Sequence, residues 1–231
     1  MLNVIVTDPP RADLDQVAKL AEYGVATVHE AIGRTGYLGP AIRPNQQGTR
    51  IAGTALTVLC WPGDNLMIHV AVEQARPGDI LVVTTTSPSS DGFVGELIVT
   101  ALAARDVHGL VTTTGVRDVA AIARARFPVW AESVSAQGTV KATAGAVNVP
   151  ICIAGTVIAP GDAVIADEDG VVAVPRRDAA AVAAAGRLRA QREDEARAAF
   201  ARGELSLDRY GLRPELERLG VSYVRADPDG S

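Results

Sequence analysis

Three places in the chain hold residue types that could do chemistry. Gly95-Glu96 stands where a polar stretch turns into a helical pattern. The free amide N–H groups and the dipole of a helix start suit an anionic group such as a carboxylate or an enolate. Arg117-Asp118 follows an apolar strand pattern and precedes a second helix. Ligands of α/β folds gather at such carboxyl ends of strands. A guanidinium beside a carboxylate can hold a 2-oxo acid and a hard divalent cation side by side; Asp118 is equally placed to cap the helix that follows. Glu193-Asp194-Glu195 lies in a charged helical segment and, taken alone, is a solvated face.

Other chemistries find no support. His29-Glu30 opens like a zinc-binding HExxH helix, but Gly33 stands where the second histidine belongs. His69 and His108 are isolated, which suits packing or surface roles. There is no CxxC pair, phosphate-cradling P-loop or GxSxG elbow. Asp167-Glu168-Asp169 precedes Gly170 and a strand pattern, which favours a hairpin turn over a calcium loop. Lys19 and Lys141 are the only lysines among 22 basic residues, so Schiff-base chemistry has few amines to draw on. Lys19 sits in an ordinary amphipathic pattern, leaving Lys141 as the candidate.

The elements that must position these residues alternate. Residues 13–34 have helical spacing, 49–59 read as a buried strand and 65–75 as a short helix. Pro77-Gly78-Asp79 turns into a strand at 80–84, and a polar loop at 86–92 leads to a helix over 95–106. A strand at 109–113, a loop at 114–117 and a helix at 118–126 complete a βαβ-like run. Short strands and turns follow; Pro160-Gly161-Asp162 repeats the earlier turn, and Asp178 caps an Ala-rich helix reaching about residue 200. Aliphatic residues far outnumber aromatics, as an α/β core of small side chains requires. Cys60 and Cys152 lie in apolar runs and read as buried free thiols. A net charge of −5 without a basic block argues against a nucleic-acid groove. No apolar run is long enough to span a membrane and the start does not resemble a signal peptide, so a cytoplasmic protein with no membrane contact is expected.

Taken together, Gly95-Glu96-Leu97 and the Arg117-Asp118 pair 21 positions on resemble the signature of the class II pyruvate aldolases. More narrowly, the chain resembles the 4-hydroxy-4-methyl-2-oxoglutarate/4-carboxy-4-hydroxy-2-oxoadipate aldolase family of the RraA-like superfamily. Segments 25–31, 64–71, 138–141, 147–150, 161–172 and 203–208 carry the likeness over nearly the whole chain. The resemblance implies an α/β fold: a swivelling β/β/α domain over residues 1–177, with flanking helices and a C-terminal helical arm over 178–231. The arm would pack on a neighbouring subunit of a homotrimer or homohexamer.

It also implies roles. Asp118 would bind Mg²⁺ or Mn²⁺, and Arg117 would contact the pyruvyl part of a small acidic 2-oxo acid and steady its enolate. Glu96 would orient metal-bound waters, where the family more often carries aspartate. Glu193 of the neighbouring subunit, with Glu195 as its competitor, would complete the outer shell. Gly95, Leu97 and Ile98 would supply amides to the substrate, and Thr139 and Lys141 would wall the site. The implied reaction is retro-aldol cleavage to pyruvate, with oxaloacetate decarboxylation as a side activity. The rival from another class is a non-enzymatic RraA-like regulator that binds a ribonuclease or helicase; it would need neither the acid at 96 nor the arm.

Overall fold

Strands of Val, Ile, Leu and Ala with helices between them must bury both faces, and the computed structural model, which describes residues 3–226, shows how. In chain order the elements begin with β1 (Val4–Ile5), α1 (Leu14–Tyr23), α2 (Val25–Ala31), β2 (Arg43–Pro44), β3 (Ile51–Cys60) and α3 (Leu66–Gln74). β4 (Asp79–Thr85), β5 (Gly92–Val94), α4 (Glu96–Ala103), β6 (Gly109–Val116), α5 (Val119–Arg124) and β7 (Val129–Val134) follow. Next come β8 (Ala146–Val147), β9 (Ile151–Ile153), β10 (Thr156–Ile158), β11 (Ala163–Asp167) and β12 (Gly170–Val174). The chain closes with α6 (Ala179–Ala201), α7 (Ser206–Arg209) and α8 (Arg213–Arg218).

β3, β4, β6 and β7 run parallel and adjacent at the centre of the main sheet. β5 adds in parallel to the carboxyl end of β6, while β8 and β11 pair antiparallel with β3. β9 and β10 form a separate hairpin. The two faces of β4 show why its run is apolar throughout. Leu81 and Val83 join a core with Ile68, Val99, Leu102 and Ile122 of α3, α4 and α5. Ile80 and Val82 point the other way, into a core with Trp130, Ile153 and Ile158. A third cluster packs Val17, Leu20, Val25 and Val28 against Ile165, Val172 and Val174 of the β11–β12 hairpin.

Two expectations need correction. The helix expected over 13–34 is two helices, because Gly24 adopts φ +83° between α1 and α2. The buried carboxylate of Asp167 accepts the Val25 N–H at 2.8 Å there, capping the start of α2 from a distant hairpin. Cys152 is exposed, while Cys60 is buried. Strand alternation turns Cys152 outward between Ile151 and Ile153, whose side chains enter the core. Cys60 has its thiol pKa pushed up to about 12, chiefly by burial.

The chain divides into two units, Met1–Arg187 and Leu188–Ser231. In the second, Ala196 and Ala199 are buried and Phe200 meets Tyr210 edge-on at 5.8 Å. Leu205, Tyr210, Leu212, Leu219 and Tyr223 remain exposed.

The repeated Pro-Gly-Asp turns share one device: each aspartate is buried and accepts the N–H three residues before it, Arg76 for Asp79 and Ala159 for Asp162. Asp79 also accepts both Arg11 Nε and Nη2 at 2.9 Å and Thr54 Oγ1 at 2.6 Å. Replacing Asp79 with alanine leaves a mostly buried guanidinium without its carboxylate, and should cost about 3–5 kcal/mol in urea unfolding. A loss below about 1 kcal/mol, the worth of a surface pair, would contradict this account.

Candidate active site

β5 and β6 are parallel neighbours, with Val94 in register with Val116. The chain therefore leaves both strands at the same edge, and Gly95-Glu96 and Arg117-Asp118 emerge side by side. The Arg117 N–H donates to Val94 O at 2.9 Å, which closes the last rung. α4 then starts at Glu96 and α5 at Val119, so two helix starts open on one place.

Asp118 does not cap its own helix. Its side chain makes no capping hydrogen bond to α5, and its backbone is left-handed at φ 57°, ψ 30°. For a residue other than glycine this conformation costs about 1–2 kcal/mol. The strain turns the carboxylate away from its own helix and toward the neighbouring one. Oδ2 accepts the Glu96 N–H at 3.2 Å and lies 3.8 Å from Arg117 Nε. Gly95 makes the approach possible: a Cβ there would stand 2.4 Å from Asp118 Oδ2 and 3.0 Å from Arg117 Nε.

Around this pair lie two open depressions. One of about 670 Å³ is lined by Glu96, Leu97, Asp118 and the first turns of α5 to Arg124. The other, about 360 Å³, lies against Arg117, Asp118, Val134, Ser135 and Ala136. Leu97 is 81% exposed at the rim, and Ile98 turns inward to the core. As first-turn residues of α4, Leu97 and Ile98 have no intrahelical acceptor for their N–H groups. Glu96, Leu97, Arg117 and Asp118 are thus brought together.

Thr139 and Lys141 follow Gly138 on a third segment of the chain. Their loop passes Arg117 at Gly138, where a Cβ would lie 3.1 Å from Nη1. Asp64 anchors it, accepting the N–H of Ala142 at 2.8 Å and of Thr143 at 2.7 Å, while the Asn65 N–H donates to Val140 O at 3.0 Å. Burial alone would raise the pKa of Asp64, but these amides and that of Leu66 outweigh it and hold it below the usual carboxylate value. Asn65 Nδ2 also donates to Phe93 O at 2.8 Å, tying α3 to the strand that delivers Gly95. These supports lie in the stretch 64–71, whose likeness to a family carried no role for either residue; a buried aspartate leading a helix was the available signal. Glu193 and Glu195 belong to the second unit, where Glu193 pairs with Arg189 at 2.8 Å and Glu195 accepts from Gln191 at 3.4 Å. His29 and His108 meet backbone carbonyls, Thr35 O at 2.9 Å and Ala52 O at 2.8 Å, and stand in structural places.

Among the described residues no cluster of three or more His, Cys, Asp or Glu side chains could hold a metal ion. The donor set at Asp118 is a single half-exposed carboxylate beside Glu96. That fits a hard, largely hydrated cation such as Mg²⁺, which keeps several waters and needs one or two carboxylates. It does not fit a metal that demands a cage of protein ligands.

A sheet with a parallel centre, flanked by helices, with an arginine–aspartate pair and two helix starts at one edge, defines an α/β protein. The family model described as Aldolase/RraA, RraA-like, matches residues 25–173, and the chain belongs to that family. A relative from Halalkalibacterium halodurans, named "Putative 4-hydroxy-4-methyl-2-oxoglutarate aldolase", is 27% identical over 166 residues, 72% of this chain and 79% of its own. One of the same name from Burkholderia multivorans is 33% identical over 142 residues, 62% of this chain and 86% of its own. The crystal structure of Streptomyces coelicolor RraAS2, described as an unusual member of the RNase ES inhibitor RraA family, superposes with a TM-score of 0.75 at 25% identity. That match covers 82% of this chain and 99% of RraAS2.

Asp118→Gly relieves the left-handed strain and removes the acceptor of the long, exposed Glu96 N–H bond, two effects of similar size, so it should keep the fold with thermal stability within about 1 kcal/mol of the parent. Gly95→Ala should destabilise instead, since its Cβ meets Asp118 Oδ2 at 2.4 Å. Loss of more than about 2 kcal/mol in Asp118→Gly would make the carboxylate a structural cap after all.

Proposed function

We propose that this chain is a divalent-metal-dependent aldolase that cleaves 4-carboxy-4-hydroxy-2-oxoadipate to pyruvate and oxaloacetate, 4-hydroxy-4-methyl-2-oxoglutarate to two pyruvates, or both, with oxaloacetate decarboxylation as a side activity. The observation that carries the reading is Asp118: its carboxylate is strained out of capping its own helix and set beside Arg117 and the first turn of α4. The names of the relatives support the same class of reaction.

Asp118 would hold Mg²⁺ or Mn²⁺. When bound, the cation supplies an electron sink for the charge that develops as the C3–C4 bond breaks. The chain's own groups do the rest. Arg117 binds the pyruvyl end and, with the Leu97 and Ile98 amides, stabilises the enolate oxygen; one such donor is typically worth about 10²–10³ in rate. Gly95 leaves room for these groups to close on the substrate, and Thr139 and Lys141 form the far wall. Glu96, with Glu193 or Glu195 from a neighbouring copy, would orient the water that takes the proton leaving the C4 hydroxyl. The exposed Leu205, Tyr210, Leu212, Leu219 and Tyr223 of the second unit support its packing as an arm on another copy, in a homotrimer or homohexamer. Among the described residues no helix is long and apolar enough to cross a membrane. We place the enzyme in the cytoplasm, where its partners are small 2-oxo acids.

The likeness to RraAS2 favours a second reading, a regulator that binds a ribonuclease or helicase. A coupled assay for pyruvate separates the two. Turnover of 4-hydroxy-2-oxo acids should vanish with chelator and return with Mg²⁺ or Mn²⁺. Arg117→Ala and Asp118→Asn should each lose about 10²–10³-fold in kcat. Turnover indifferent to chelator, or a borohydride-trapped pyruvate adduct at Lys141, would replace this mechanism with Schiff-base chemistry. Glu193→Ala should lose activity while keeping the oligomer; an active variant assigns the role to Glu195 or to no arm residue.

A further inference from the structure

β9 and β10 are joined by a two-residue turn in which Ala154 and Gly155 both take positive φ, +48° and +81°. A turn of that kind makes the flanking pair, Ile153 and Thr156, exchange backbone hydrogen bonds. Alternation along an antiparallel ladder then leaves Val157, paired with Cys152, with its N–H and C=O directed away from β9. Among the described residues no strand lies on that side, for β9 and β10 form a sheet of two, and no loop hydrogen-bonds to Val157 there. The Val157 side chain is 67% exposed. An open strand edge with an exposed apolar residue is a surface that folded proteins ordinarily cover.

Two depressions share Val157 and Pro175 in their walls. One, of about 480 Å³, continues to Ile32 and Ala173; the other, about 350 Å³, reaches Arg177. Arg177 is largely exposed, and among the described residues its ion-pair partner is the adjacent Asp178 at 3.6 Å. A surface pair of this kind holds a guanidinium only weakly. The second unit carries a segment with the complementary need. Beyond α8, residues 222–226 have no regular structure and make no backbone hydrogen bond among the described residues. Tyr223 is 77% and Val224 87% exposed, and Asp227 and Asp229 follow them in the sequence. A segment with unpaired amides, exposed apolar side chains and acids after them matches an open strand edge with apolar walls and an arginine at one end.

We propose that residues 222–226 of a second copy of this chain add as a strand to the open edge of β10. The Val157 N–H donates to a carbonyl of that segment, and the Val157 C=O accepts one of its amides. Tyr223 or Val224 of the second copy settles beside Pro175, and the acids that follow face Arg177. The contact goes beyond the aldolase reading and does not rest on it, because Val157 lines neither depression at Asp118.

Hydrogen exchange of the full-length protein tests the contact. Amides of residues 222–226 should exchange about tenfold or more slowly than those of an unstructured chain. Val157→Pro removes the N–H that the edge offers, at a position where an edge strand tolerates proline. It should release that protection while the amides of β3 and β4 stay protected. Free exchange in the parent, or protection that survives Val157→Pro, overturns the proposal. Val224→Pro repeats the test from the exposed segment, where the fold is not at stake: the Val157 amide should then exchange about tenfold faster, and an unchanged rate refutes the contact. Mixed disulfides identify the copy. In a Cys152→Ser background, one isotopically labelled preparation carries Val157→Cys and an unlabelled one carries Tyr223→Cys or Val224→Cys. Oxidation of the mixture should join position 157 to 223 or 224 across the labels. No such link, or a link formed only inside single chains that carry both substitutions, removes the second copy and overturns the proposal.

Discussion

The arrangement depends on the left-handed backbone of Asp118. In the usual form of a helix start, an aspartate at this position folds its side chain back onto the second or third amide of its own helix and is consumed there. At φ 57° the side chain leaves the helix instead, and its oxygen meets the Glu96 N–H at the start of α4. Strain of this kind survives only where the surroundings over-determine it. Here they do: Arg117 is pinned to Val94 by its N–H, and α5 is committed immediately after. The two residues have little freedom except the direction their side chains take, and Gly95 provides the space on that side.

Parallel pairing explains why this happens at one edge. β5 is only three residues long, yet it copies the direction of β6 and so delivers its helix start to the carboxyl end of the sheet. The positive ends of the α4 and α5 dipoles converge on the same spot, together with a guanidinium. One carboxylate among these groups is a counter-charge as much as a ligand, and the Glu96 N–H holds it at 3.2 Å. A site built this way sets a guanidinium and two helix starts beside one hard oxygen donor, the combination that a 2-oxo acid with a hydrated divalent cation would use under the proposed reading.

Much of this was legible in the residues. The strands expected at 49–59, 80–84 and 109–113 appear as β3, β4 and β6, although β6 runs on to Val116 through residues that read as a loop, and the turns at Pro77 and Pro160 follow from their Pro-Gly-Asp triplets. Gly95-Glu96 and Arg117-Asp118 could be singled out because each opens a helix pattern, the first after a polar stretch and the second after a strand pattern. Residues 92–94 could not be read as a strand, since three residues within a polar loop carry no periodicity; only the edge of β6 makes them one. The break at Gly24 was hidden for a related reason. Residues on both sides keep helical spacing, and the cap that ends one helix and starts the next comes from Asp167, 142 positions away. The side-chain direction of Asp118 was equally out of reach, because cap and ligand use the same residue at the same place and differ only in backbone dihedrals.

Asp64 shows the same limit from the other side. In the sequence it is one aspartate leading a helix, and nothing near it marks what it holds. Its partners are the amides of Ala142 and Thr143, 78 and 79 positions later, together with that of Leu66. Three backbone amides on one buried carboxylate fasten a loop across the start of α3, and the same loop passes the Arg117 guanidinium at Gly138. The acid that gives the loop its shape therefore sets how closely the loop approaches Arg117.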